Sequence, residues 1–149
     1  IGIPIDVKFA LLIETFSPLA VHVSSIKSMG LPKVEPEKSK LFKYLNWLLE
    51  LYGTELFVAE CSNNREKFVK ILVNSRNRIA HVKTKQDKEY LSGAESALYL
   101  LKFSFFYRRI LFDLLGIDSE VYWDKMLRSA SLFVKKYGVL EEFINTRLK

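Results

Sequence analysis

Apolar residues recur along most of this chain at the three- and four-residue spacing that places them on one face of an α-helix. The first such segment follows Asp6, which can cap it, and its apolar positions are Phe9, Leu12, Ile13 and Phe16. Pro18 predicts that this helix either kinks or divides, with Ser17 capping the second part. Gly30 predicts its end.

A second helix is predicted to start near Pro36, because proline suits the first position of a helix, and to close at Gly53. Its apolar side consists of Leu41, Leu45, Leu48, Leu49 and Tyr52. Thr54 can cap a short turn of helix that runs through Glu60. Two further segments are therefore expected before the middle of the chain.

The third long helix has the most regular pattern, and Asn63 or Asn64 can cap it. Its predicted core face consists of Phe68, Ile71, Leu72, Ser75 and Ile79. The run from Ser92 to Glu95 has the spacing of a capping box, and residues 97–115 are apolar on nearly every side. That helix is expected to be central to a bundle or to be covered also by a partner chain.

The last third of the chain predicts shorter helices. Gly116 is expected to end the apolar helix, a helix over about 119–136 follows, and a final segment comes after Gly138. No alternating strand pattern and no internal repeat occurs in the sequence. The predicted fold class is all-α, an antiparallel bundle of four core helices plus short additional helices. Residues 1–149 are expected to form one domain, which could be a fragment of a longer chain.

Composition supports a soluble, folded chain with a sizeable core, since 49% of the 149 residues are hydrophobic and 13% are aromatic. Cys61 is the only cysteine, so neither a disulfide framework nor a cysteine-based zinc site is expected, and a reducing cytoplasm is the predicted location. No uninterrupted apolar run reaches the roughly 18 residues of a membrane span. We therefore predict no membrane association, no metal and no cofactor.

The formal net charge of +6 favours anionic partners through long-range attraction, although charge alone does not establish nucleic-acid binding. On a helical wheel, Lys70, Asn74, Asn77 and His81 form a polar row on the side of the third helix away from its core. A surface histidine, or one attracted by the helix dipole, would explain the same pattern. The row alone therefore leaves the role of His81 open.

Arg76 lies about 140° around the same wheel from His81, so a continuous helix does not aim both at one phosphate. Two arrangements would bring them together. The helix could unwind after Ile79, or a second copy of the chain could supply the missing partner.

In the run from Arg76 to His81, Asn77 directly follows the arginine, and the histidine comes five positions after the arginine. This run resembles the signature of the HEPN superfamily. The wider stretch from Leu72 to Ile117 resembles its ApeA-like branch. This resemblance implies a HEPN-like helical bundle that forms a homodimer, joins two signatures, and cleaves RNA without a metal ion. By the same analogy it implies a setting in antiviral defence, a toxin system or a stress response.

The resemblance implies a role for each matching residue. His81 would be the general acid or base, Arg76 would hold the phosphate, and Asn77 would orient the histidine or bond across the dimer. Arg78, Lys83 and Lys85 lie outside the signature and are candidates for RNA backbone contacts or for a solvated surface. Glu14 is either a supporting carboxylate or a helix-edge residue.

Two other functions fit the same sequence. A non-catalytic module could bind RNA, a nucleotide or a protein through the same bundle, and salt-sensitive RNA binding without cleavage would favour it. A purely structural dimerisation domain is the third alternative.

Overall fold

The structure of the protein is a computed structural model that describes residues 2–80 and 88–149, apart from the side chains of residues 132–137. No strand occurs in these ranges. The helices are α1 (Ile5–Glu14), α2 (Phe16–Lys27), α3 (Lys40–Tyr52), α4 (Val58–Ala80), α5 (Gly93–Leu114), α6 (Trp123–Tyr137) and α7 (Val139–Phe143). The all-α fold class predicted from the sequence is confirmed.

The first predicted helix is divided rather than kinked. The break falls at Thr15, whose hydroxyl donates to the carbonyl of Leu12, and α2 begins at Phe16. The prediction that Ser17 caps the second part is therefore wrong. Pro18 lies in the first turn of α2, where the missing N–H group costs no helical hydrogen bond.

The segment Ile5–Lys27 has the length and mean hydropathy of a membrane span, although 39% of its most apolar window is buried inside the protein. Phe9, Ile13, Phe16 and Val23 are almost completely buried there. A core helix can satisfy the same criteria of length and composition, so this segment is weak evidence on a membrane. The fold is compatible with a soluble protein.

Two helix starts were predicted in the middle of the chain, and one is wrong while the other is confirmed. α3 begins at Lys40 because Ser39 caps it, its hydroxyl accepting from the N–H of Phe42, so the prediction of a start at Pro36 is wrong. Asn64 interrupts α4 with an extended backbone, and its side-chain oxygen accepts from the N–H of Lys67 at 3.0 Å. The predicted cap at this position is confirmed, and the long part of α4 starts there.

α5 lies at the centre of the core, packed against α1, α2, α3, α6 and α7. Ser92 and Glu95 form the predicted capping box at its start, with hydrogen bonds of 3.2 and 2.8 Å. Its inner face belongs to a cluster of aromatic rings, in which the centroid of each ring lies within about 6.5 Å of at least one other: Phe16, Phe57, Phe68, Tyr99, Phe103, Phe106 and Phe143. This side of α5 is therefore covered by its own chain, whereas Leu101, Phe105 and Phe112 on the opposite side are only half-buried.

The ends of three helices meet at Asp113. The hydroxyl of Tyr52 donates to its carboxylate at 2.6 Å, and the ammonium of Lys27 lies 2.9 Å away. Burial raises the pKa of Asp113, but the hydrogen bonds from Tyr52 and Lys27 and the charges of Lys27 and Arg109 outweigh it and lower the pKa. Burial and the hydrogen bond to Asp113 also raise the pKa of the Tyr52 phenol.

Asp113→Asn is expected to destabilise the protein at neutral pH and to lose this effect in acid. A carboxyl whose pKa is lower in the folded state stabilises it above the unfolded value of about 3.9, and this contribution disappears as the pH falls through the folded pKa. Urea unfolding of both proteins between neutral pH and acid measures the difference. A difference in unfolding free energy that is constant with pH would contradict the prediction.

Candidate functional site

The second part of α4 carries the residues of the predicted signature. It runs from the Asn64 cap without interruption to Ala80, so Arg76, Asn77 and Arg78 are all helical. Its buried side includes Phe68, Val69 and Leu72, which pack into the aromatic core and fix the helix. The signature therefore begins on a rigid element.

Arg76 is held on two sides. Its Nε donates to Oε2 of Glu14, Nη2 pairs with the same oxygen, and Nη1 donates to Oδ1 of Asn77 at 2.8 Å. The guanidinium side chain is 26% exposed and the Glu14 side chain 53%. The contacts fix the orientation of the guanidinium while one side remains accessible to solvent.

Glu14 reaches Arg76 because it is the last residue of α1, which packs against both α4 and α5. The sequence left this residue open between a supporting carboxylate and a helix edge. It lies at the end of α1 and also contacts the signature. A partly exposed carboxylate orients Arg76 more than it stabilises the fold, because solvent screens the pair.

Arg78 faces different partners from Arg76. Its guanidinium lies 5.2 Å from the centroid of the Tyr90 ring and 4.0 Å from the carboxylate of Asp6, and its side chain is 42% exposed. Among the described residues, the two arginines of the signature segment are not brought to one point. His81, Lys83 and Lys85 lie outside the described residues, so their predicted roles stay predictions.

The predicted polar row on α4 is wrong at Asn74. Lys70 is exposed and Asn77 half-buried, but Asn74 is only 8% exposed and its amide donates to the carbonyl of Glu89 at 3.3 Å. The reason is the segment that precedes α5, which packs on this side of α4. There the N–H of Leu91 donates to the hydroxyl of Ser75 at 2.8 Å.

The predicted core face is also wrong at its far end. Ile79 is 36% exposed, whereas Phe68, Ile71 and Leu72 are buried. The last turn of α4 extends beyond the residues that pack on it, so an apolar side chain in the right phase still meets solvent. The core side of α4 ends at about Ser75.

A comparison with protein families decides the assignment, because the model of the Apea-like HEPN family matches residues 27–121, more than half of the chain. The chain belongs to the Apea-like HEPN family. The matched range contains α3, α4 and α5 together with the whole signature segment. No curated protein and no solved structure matches the chain.

Membership confirms the resemblance drawn from the residues of α4 and α5. HEPN domains support a nuclease-type role in general, generally act on RNA and often dimerise. Family membership alone does not establish the specific reaction, the catalytic residues or a dimeric site.

One contact residue of this HEPN domain was missed by sequence reasoning. Arg147, near the end of the chain, donates through Nη1 to Glu95 at 3.1 Å and through Nη2 to the carbonyl of Tyr90 at 2.5 Å. It therefore anchors the segment that follows the signature to the C-terminal helical turn. No local signal identifies it, since its partners lie more than 50 positions earlier.

Proposed function

We propose that this HEPN domain is an endoribonuclease that cleaves RNA without a metal ion at a composite site of two chains. The observation that carries the proposal is the fixed guanidinium of Arg76 at the end of α4, held by Glu14 and Asn77. An arginine has five N–H donors, and the contacts with Glu14 and Asn77 use three of them. One N–H on each terminal nitrogen remains for a phosphate oxygen.

The residue types supply a complete reaction. Histidine is the side chain whose ordinary titration range lies closest to neutral pH, and His81 accepts the proton of the ribose 2′-hydroxyl while the 2′-oxygen attacks the phosphorus. The bond from phosphorus to the 5′-oxygen breaks, the leaving oxygen takes up the proton from the protonated histidine, and a 2′,3′-cyclic phosphate forms. Arg76 stabilises the negative charge that develops on the phosphate oxygens.

The dimer is part of this proposal because of helix geometry. α4 is helical through Ala80, and a helix that continued to position 81 would separate it from Arg76 by about 140°. Arg76 points to Glu14 on α1. A histidine from a second copy, related by twofold symmetry, supplies the acid or base that this guanidinium needs. Asn77 orients that histidine, and Arg78, Lys83 and Lys85 contact the RNA backbone.

His81→Ala is expected to abolish cleavage of mixed RNA in the presence of EDTA, because the proton acceptor is removed. The second histidine of the chain provides a matched control, since His22 is exposed on α2, far along the sequence from the signature. His22→Ala should cleave like the parent protein and leave 2′,3′-cyclic phosphate ends. Equal cleavage by His81→Ala and the parent would refute the proposed role of His81.

A non-catalytic RNA-binding module is the second candidate, and one observation favours it. Glu14 already neutralises Arg76 in the single chain, as it would in a purely structural ion pair. Under this alternative the protein binds RNA in a salt-dependent manner, but neither the parent nor His81→Ala cleaves it.

A further inference from the structure

A groove runs along the side of α4 that carries Lys70. Its volume is about 700 Å³, and we call it the α4 groove. Among the described residues, its polar lining consists of Asn64, Glu66, Lys67, Lys70, Asn74, Lys88 and Glu89. Since α4 rises 1.5 Å per residue, the stretch from Asn64 to Asn74 is about 15 Å long. That length accommodates a short run of nucleotides.

Among the described residues, three lysines and two glutamates line the groove, an excess of one positive charge. Lys67 lies 3.7 Å from the carboxylate of Glu89, whereas Lys70 and Lys88 are exposed and form no ion pair within residues 2–80 and 88–149. Two ammonium groups are therefore available to an anion. Phosphates bound there would release condensed counterions, which makes this kind of binding salt-dependent.

The amides of the groove offer directional hydrogen bonds. Asn74 is more than nine-tenths buried, and its nitrogen is used by the carbonyl of Glu89, so within the described ranges its oxygen has no partner. Asn64 is in the opposite situation, because its oxygen caps α4, so the amide nitrogen of this exposed residue is the group left to donate. One amide thus offers an acceptor and the other a donor, as recognition of base edges requires.

We propose that the α4 groove binds a single-stranded segment of the RNA substrate, with phosphates on Lys70 and Lys88 and base edges on the two asparagines. This inference rests on the proposed function. RNA offers acceptors on its phosphates and donors on its bases and 2′-hydroxyls, so it uses the ammonium groups as well as the carboxylate of Glu66. An acidic peptide offers mainly acceptors, and a duplex hides its Watson–Crick edges.

The groove also leads toward the signature. Lys67, Lys70, Asn74 and Arg78 are spaced by three or four residues, so they follow one side of α4. Arg78 stacks over the ring of Tyr90, directly after Glu89 in the chain. A strand that leaves the groove at Asn74 therefore meets a guanidinium plane, a surface on which bases stack.

The experiment measures binding of a fluorescent 2′-O-methyl single-stranded oligonucleotide, which cannot be cleaved because its 2′-oxygen is blocked. We expect Lys70→Gln and Lys88→Gln each to weaken binding about fivefold at 0.1 M salt, and to reduce the slope of log affinity against log salt by about 0.7. Lys125→Gln, which removes an exposed charge on α6, should change neither quantity.

Three results would overturn the inference. One is binding by Lys70→Gln and Lys88→Gln that equals that of Lys125→Gln. The second is a duplex of the same sequence that binds as tightly and depends equally on the two lysines. The third is complete displacement of the oligonucleotide by poly-glutamate at equal charge.

Cleavage assays on the same proteins separate the two proposals. Cleavage that depends on His81, with unchanged binding in both groove variants, would refute the groove and leave the nuclease. Groove-dependent binding without any cleavage would refute the nuclease and leave the groove as the RNA site.

Discussion

Replacing Lys102 with methionine is expected to lower the free energy of unfolding by about 3–5 kcal/mol, because it leaves a buried carboxylate without its counterion. The ammonium of Lys102 lies 2.6 Å from Oε2 of Glu60, and the two side chains are only 4% and 0% exposed. It also lies 4.8 Å from the centroid of the Phe57 ring. Methionine retains the length of the side chain and removes only the charge and its hydrogen bonds.

The double variant Lys102→Met with Glu60→Gln tests this explanation. It removes both charges, so it should recover more than half of the stability lost in Lys102→Met. Lys125→Met, on the exposed side of α6, provides the surface control and should change the unfolding free energy by less than about 0.5 kcal/mol. Urea unfolding of the four proteins gives these values. If Lys102→Met lowered the free energy of unfolding by no more than Lys125→Met does, the ion pair of Lys102 and Glu60 would be solvated.

The buried pair illustrates what the sequence does not reveal. Lys102 interrupts an apolar helix and looks like a solvated residue, yet its partner Glu60 lies 42 positions earlier, on α4. Helical periodicity predicts which side of one helix is apolar, but it does not predict which helix covers a charge. The same limit explains Arg147, whose hydrogen-bond partners lie 52 and 57 positions earlier.

Local signals predicted the helices well where a capping residue acts within one turn. The capping box at Ser92 and the cap at Asn64 each depend on a hydrogen bond to a residue three positions away, and both occur in the structure. The start at Pro36 failed because Ser39 caps α3 three positions later, and the cap at Ser17 failed because the break falls at Thr15, whose hydroxyl bonds back to Leu12. Existence of a helix is therefore easier to predict than its first residue.

The candidate site was predictable in part. The signature placed Arg76 and Asn77 together on one helix, and the two side chains share a hydrogen bond of 2.8 Å. The contact from Glu14 to Arg76 joins residues 62 positions apart, so it needs the packing of α1 on α4. The helical wheel predicted that Asn74 is exposed, because a wheel considers one helix alone. The segment before α5 buries this residue.

Replacing Arg76 with alanine is expected to reduce the cleavage rate about 10²- to 10³-fold, the usual cost of losing one donor to a developing anion. The ion pair with Glu14 is partly exposed, so its loss should cost no more than about 1 kcal/mol of stability. The fall in rate would therefore come from chemistry rather than unfolding. Arg128→Ala, an exposed arginine on α6, is the matched control and should retain full activity.

Arg76→Lys and Glu14→Gln separate charge from orientation. Lysine retains the positive charge but lacks the planar fork that contacts Glu14 and Asn77 together, so it should restore little of the rate. Glu14→Gln keeps an oxygen that accepts from Arg76 and removes the negative charge. We expect it to lower KM for RNA, because a carboxylate no longer opposes the phosphate, and to leave kcat within about tenfold, since one positioning contact remains.

Mixing the two inactive variants tests the composite site directly. A mixed dimer of Arg76→Ala and His81→Ala contains one site in which an intact arginine faces an intact histidine, provided that the two residues come from different chains. Random pairing then restores about a quarter of the parent activity, because half of the dimers are mixed and each has one complete site. If both residues of a site belong to one chain, no complete site forms. Mixed dimers verified by native mass spectrometry but inactive on RNA would thus exclude the two-chain arrangement.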